Sequence, residues 1–214
     1  MSTRMMTPPI NLAVLASGGG TTLQNLLDQI RAGHLNARIK VVIASKPDIR
    51  ALSRAAEANI PHHIVDRKAI PDPNEFSRAV FSHIDNAKVD LICLAGWLCM
   101  LHIPDRYSDR VINIHPALLP AFGGKGMYGE KVHQAVLDHG CKVSGCTVHF
   151  VDAHYDNGPI ILQRTCPVLD DDTPASLAAR VFEQEKIAYP EAIRLIQQGR
   201  LRIEGRRVLV KDPR

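Results

Sequence analysis

The chain has 214 residues, 45% hydrophobic and 22% charged, a balance that fits one globular domain and excludes a disordered, collagen-like or membrane-embedded chain. No stretch approaches the ~20 apolar residues of a membrane helix, and the N-terminus lacks the apolar core of a secretory signal, so a cytoplasmic protein is expected. The formal charge of +4 invites a nucleic-acid reading, but residues 200–214 carry six basic and two acidic groups, which leaves 20 of each sign in the first 199.

Residues 11–16 form a short apolar run that stops at Ser17-Gly18-Gly19-Gly20, as a buried strand followed by a turn does. A helix is expected directly after it: Leu23, Leu26, Leu27 and Ile30 recur at helical spacing and Gly33 sits where a terminating glycine belongs. The rhythm repeats, with strands at 39–44, 62–65 and 89–94 and helices at 48–59 and 74–86. Strands alternating with helices imply a parallel sheet covered on both faces. Further on, 111–114 reads as a strand, 116–129 as a proline- and glycine-rich loop and 130–139 as a helix. Strands at 143–151 and 159–167 flank the turn 152–158, Thr173-Pro174 caps a long helix to about Gln198, and 200–210 alternates apolar and charged residues as a terminal hairpin does. The expectation is a single α/β, Rossmann-like domain over 1–214, with a mostly parallel sheet, helices on both faces, a C-terminal β-hairpin and flexible ends at 1–10 and 211–214.

Four constellations carry possible chemistry. The triple-glycine loop into Thr21-Thr22 suits either an anion at a helix start or a tight turn that needs positive φ. It matches neither the dinucleotide fingerprint, whose third glycine would fall at Leu23, nor the ATP-binding loop, which ends in Gly-Lys-Ser/Thr. Asn113 and His115, two apart on an extended segment, share one side while Ile114 faces the core; together they suit an oxyanion and a proton relay, or a hydrogen-bonded strand end. Asp156-Asn157-Gly158-Pro159 is explained by turn chemistry, yet a carboxylate near His115 would set its charge and orientation. Glu185 shares a helical stripe with Val181, Ala188, Tyr189 and Ala192, so it needs a partner in the core, a rotation toward water or a ligand. The five cysteines contain no C-x-x-C pair and the histidines, His149 with His154 included, lack metal-ligand spacing, so no metal is expected.

In this order and spacing, Ser17-Gly-Gly-Gly-Thr-Thr-Leu-Gln24, Leu94-Ala-Gly-Trp97, Asn113-Ile-His-Pro-Ala-Leu-Leu-Pro120, Gly145-Cys-Thr-Val-His-Phe-Val151 and Asp156-Asn-Gly-Pro-Ile-Ile-Leu-Gln163 resemble the folate-dependent formyltransferases, specifically those of purine synthesis that act on phosphoribosylglycinamide (GAR). The resemblance implies catalysis by Asn113, His115 and Asp156, with Asp156 keeping the imidazole charged. It implies GAR binding by Gly19, Gly20, Thr21, Thr22 and Glu185. It further implies folate binding by Trp97, Leu98, Cys99, Met100, Leu101, Val151 and Asp152, with Asn113 and Asp156. The co-substrate would be 10-formyltetrahydrofolate and the reaction direct, without metal or covalent enzyme intermediate. The partners would be these small molecules, with no nucleic acid and no membrane, and the chain would act as a monomer or homodimer.

Three positions depart from the family pattern. Thr22 stands for an asparagine of the phosphate loop, Cys99 for an arginine of the folate loop, and Pro73-Asn74 fall where some members place a phosphate-binding arginine. Lys125, in the longer loop 121–129, is a candidate replacement for that charge. The alternatives are another formyltransferase of the superfamily, a formyltetrahydrofolate hydrolase, which needs no phosphate cradle, and a non-catalytic nucleotide-binding module, which calls for a dispersed basic face.

Overall fold

The computed structural model describes residues 8–212; of the ends expected to be flexible, 1–7 and 213–214 lie outside the described residues. Strand β1 (Ile10–Ala16) opens the chain and leads into α1 (Thr21–Arg31), followed by β2 (Ala37–Ala44), α2 (Arg50–Glu57), β3 (His62–Ile64), α3 (Pro73–Ala87) and β4 (Leu91–Leu94). After β5 (Val111–His115) and a long loop come α4 (Glu130–Asp138), β6 (Val143–Phe150), β7 (Ile160–Pro167), α5 (Pro174–Gln197) and the hairpin β8 (Leu201–Glu204) and β9 (Arg207–Val210). These follow the expected order. A 3-10 turn at Asp105–Tyr107 has no periodic signal in sequence.

All nine strands among the described residues join one sheet in the order β3-β2-β1-β4-β5-β6-β7-β9-β8. The first five are parallel; β6 then runs against β5, and β7 against β6. The period of two sorts β1 between two cores, Leu12 and Val14 to one face and Ala13 and Leu15 to the other. Helices α1, α2 and α5 bury their apolar stripes on the first face, while Phe76, Val80, Phe81 and Ile84 of α3 cover the second.

Local chemistry sets the ends of the helices. Thr173 accepts from the Ser176 N–H while Ser176 Oγ accepts from the Thr173 N–H, a reciprocal cap that opens α5 with Pro174 in its first turn. Near the other end of α5, the buried Tyr189 hydroxyl reaches through the core to Leu94 O at 2.9 Å and Ile112 O at 3.2 Å. This one side chain ties α5 to both central strands, at the last residue of β4 and at the residue before Asn113 in β5; open α/β sheets bind ligands beyond the carboxyl ends of such strands.

Candidate active site

The site lies where the sheet changes from parallel to antiparallel. Asn113 and His115 leave β5 on the same side, as their spacing predicts, while Ile114 joins the core. Asp156 reaches them from the turn after β6 in a left-handed conformation, φ 51°, and its Oδ2 accepts from the Gly124 N–H at 2.9 Å. His115 Nδ1 stands 3.5 Å from Asp156 Oδ2, and Asn113 Nδ2 donates to Asp156 Oδ1 at 3.3 Å. The structure therefore brings the three expected catalytic residues into one cluster.

A fourth residue, passed over in sequence because it lacks metal-ligand spacing, completes the cluster. His149 sits directly opposite Asn113 in the β5–β6 register and is 1% exposed. Its Nδ1 donates to Phe150 O at 2.7 Å, and its Nε2 accepts from Asn113 Nδ2 at 3.2 Å. Only the strand register reveals this partner.

Burial and charge oppose each other at this cluster. Burial pulls the His115 imidazole below its ordinary value; the Asp156 charge and Phe122 carbonyl push it back up and His149 pulls it down again, with burial dominant. Asp156 is itself held below the usual carboxylate range: burial would raise it, but the neighbouring His149 and His115 and the Gly124 N–H outweigh burial. Burial biases His115 toward neutral, and the Asp156 carboxylate opposes that bias. His115 Nε2 donates to Phe122 O at 2.8 Å, leaving Nδ1 to receive a proton beside Asp156.

Two cavities meet at this cluster. The larger, about 780 Å³, is lined by Thr21, Thr22, Leu98, His115, Lys125 and Glu185, among others. The smaller, about 50 Å³, is lined by Cys99, Met100, Leu101, Val151, Asp152 and His149, among others. Trp97, Asn113 and Asp156 line both, as does Tyr155, which sequence did not single out. Leu98 alone of the expected folate loop faces only the larger cavity, and Gly19 and Gly20 shape the turn without lining either.

On the larger side, Gly20 precedes α1 with φ 69°, and an added Cβ would stand 2.8 Å from Ala51 Cα, so only glycine fits. The helix start has no side-chain cap. Its free N–H groups can receive an anion. Across the cavity, Glu185 has no hydrogen bond or ion pair among the described residues, and burial pushes its carboxyl up to about 7. Neither a core salt bridge nor rotation into bulk water explains it; its carboxylate borders the cavity.

The departures also find places. Thr22 is buried on the cavity wall where the family pattern has asparagine, and Lys125 lines the same cavity. Cys99 is half-buried in the smaller one, its thiol pushed up by burial. Asn74 borders a separate polar groove beside α3 instead. Burial pushes Cys93 and Cys146 up to about 12, which makes them core thiols rather than nucleophiles. No cluster of three metal-ligating side chains occurs among the described residues.

Comparison with known proteins agrees with this geometry. The family model described as formyl transferase matches residues 10–193. Phosphoribosylglycinamide formyltransferase of Haemophilus influenzae is 37% identical over 195 residues, covering 90% of both chains. The trifunctional purine biosynthetic protein adenosine-3 of Gallus gallus is 37% identical over 94% of this chain, which spans only 20% of that longer protein. Among solved structures, glycinamide ribonucleotide transformylase 1 of Symbiobacterium toebii is 43% identical and superposes with a TM-score of 0.90 over 99% of each chain. The phosphoribosylglycinamide formyltransferase of Coxiella burnetii gives 0.86 at 36% identity, over 94% of this chain and 93% of its own. With 184 of its residues under the family model and near full-length relatives in sequence and structure, the chain belongs to the formyl transferase family, among the phosphoribosylglycinamide formyltransferases.

Proposed function

We propose that this chain transfers the formyl group of 10-formyltetrahydrofolate to the primary amine of GAR, giving formyl-GAR and tetrahydrofolate. The observation that carries the proposal is the shared wall: Asn113 and Asp156 border both cavities, so donor and acceptor can meet at one cluster. The larger cavity offers free N–H groups at α1 for a phosphate and the unpaired Glu185 for an amine. The smaller offers the apolar wall of Trp97, Met100, Leu101 and Val151 for the pterin.

The chemistry follows from the groups in place. The neutral amine attacks the formyl carbon and the formyl oxygen gains negative charge. An Asn113 N–H turns from its 3.2 or 3.3 Å bond to that oxygen, and His115 Nε2 exchanges Phe122 O for it. The attacking nitrogen gives up a proton through water to His115 Nδ1, which becomes a cation beside Asp156; the intermediate then collapses with cleavage of the bond from the formyl carbon to the folate nitrogen, and Asp156 assists return of the proton to that leaving nitrogen through water. Holding an activated formyl donor and an amine in contact supplies much of the remaining rate. We place the protein in the cytoplasm as a single domain acting as a monomer or homodimer.

The test is release of tetrahydrofolate by purified protein with 10-formyltetrahydrofolate, with and without GAR. Dependence on GAR supports the transfer. Equal rates in both arms indicate a hydrolase, and binding of both ligands without product indicates a binding module.

A further inference from the structure

We infer that Arg54 is a positioning residue for the phosphate-binding loop, fixing the direction in which two of its peptide groups point. The inference rests on the proposed role of that loop. Helix α2 packs against the loop and contributes no residue to the lining of the larger cavity. Arg54 Nε donates to Gly19 O at 3.0 Å, Arg54 Nη1 donates to Gln24 Oε1 at 2.6 Å, and the Ala51 N–H donates to Gly18 O at 3.3 Å. A planar trans peptide carries its C=O and N–H on opposite sides. Anchoring the carbonyls of Gly18 and Gly19 on α2 therefore turns the N–H groups of Gly19 and Gly20 away from α2.

Those N–H groups, with those of Thr21 and Thr22, find no acceptor among the described residues. Packing alone does not hold them. A Cβ added to Gly18 or Gly19 would meet nothing within 4 Å, so no close packing at these two Cα positions fixes the direction of the peptides, and a flipped one would present an oxygen where an anion needs a donor. Gly20 is fixed differently, by its close approach to Ala51. Arg54 locks the peptide that sterics leave loose, and its charge behind the Gly19 carbonyl polarises that peptide toward the N–H end. Arg54 does not line the cavity; it acts through the backbone, whereas Lys125 faces the cavity directly.

The experiment uses full-length Arg54→Ala and Arg54→Lys with three probes: GAR, its dephosphorylated riboside, and inorganic phosphate bound in the absence of substrate. For Arg54→Ala, KM for GAR rises about tenfold, kcat stays within about twofold and KM for 10-formyltetrahydrofolate is unmoved. The preference for GAR over the riboside shrinks by a similar factor, phosphate binding weakens in parallel, and Arg54→Lys, which keeps one bond to Gly19 O, recovers part of the loss. An Arg54→Ala protein that keeps the wild-type preference and phosphate affinity overturns the inference, as does an equal loss of kcat with both substrates. If Arg54→Ala fails to fold, Arg54→Lys and Gln24→Ala carry the same comparison. Wild type indifferent to the phosphate would overturn the GAR reading instead; the phosphate titration then decides Arg54 separately, unchanged affinity counting against it.

Discussion

Asn113 holds its two amide hydrogens in bonds of 3.2 and 3.3 Å, long enough to exchange for a stronger acceptor that carries developing charge. Asn113→Ala and His115→Ala are accordingly expected to lower kcat by about 10²–10³ while the dissociation constant for the folate stays within a few-fold; single-turnover kinetics and a folate titration read the two separately. Lys125→Ala should raise KM for GAR about tenfold and leave kcat nearly intact, and an unchanged KM would remove Lys125 from the site. Glu185 gives a pH signature. The unfolded chain releases this proton near 4.5 and the free folded protein near 7, so stability falls as pH rises across that interval and levels off above it. The slope is worth at most about 3 kcal/mol, and Glu185→Gln should flatten it in denaturation midpoints measured at pH 5 and 8.

Elements that bury one apolar stripe or one continuous run were legible in sequence. Residues 11–16 and 23–30 announce β1 and α1 because period and punctuation agree, and Thr173-Pro174 marks the start of α5. What stayed hidden depends on contacts between elements. His149 faces Asn113 only through the β5–β6 register, Arg54 meets Gly19 only because α2 lies behind the glycine loop, and Tyr155 enters both cavities only once its turn is placed. Sequence spacing carries no such information when partners lie 35 or 36 residues apart. Tyr189 is the same kind of contact with a measurable role. Tyr189→Phe keeps the packing but leaves the Leu94 and Ile112 carbonyls without this donor, so about 1–2 kcal/mol of stability should be lost, read by urea unfolding. Because β4 leads into the loop carrying Trp97 and β5 carries Asn113 itself, turnover should fall with it.

Across the whole molecule, the basic excess and the site are separate. The arginines of the hairpin lie mostly on a solvated rim, and Val210 is 46% exposed, so the alternation expected at 200–210 covers the sheet edge without a deep core. Arg206 is the exception: its guanidinium donates to Asn157 O at 2.7 Å, next to Asp156. The partition formed by Asn113 and Asp156 has a further consequence for the whole enzyme. A donor seated on one side of that wall leaves the other side open, and water can enter where the amine belongs. The second ligand is therefore a stopper as well as a reactant. A GAR analogue whose amine is replaced by a group that cannot attack should lower the rate at which water hydrolyses bound 10-formyltetrahydrofolate, and a hydrolysis rate indifferent to that analogue would show that the compartments leak by another route. Fidelity of formyl use would then depend on the order in which the two compartments fill.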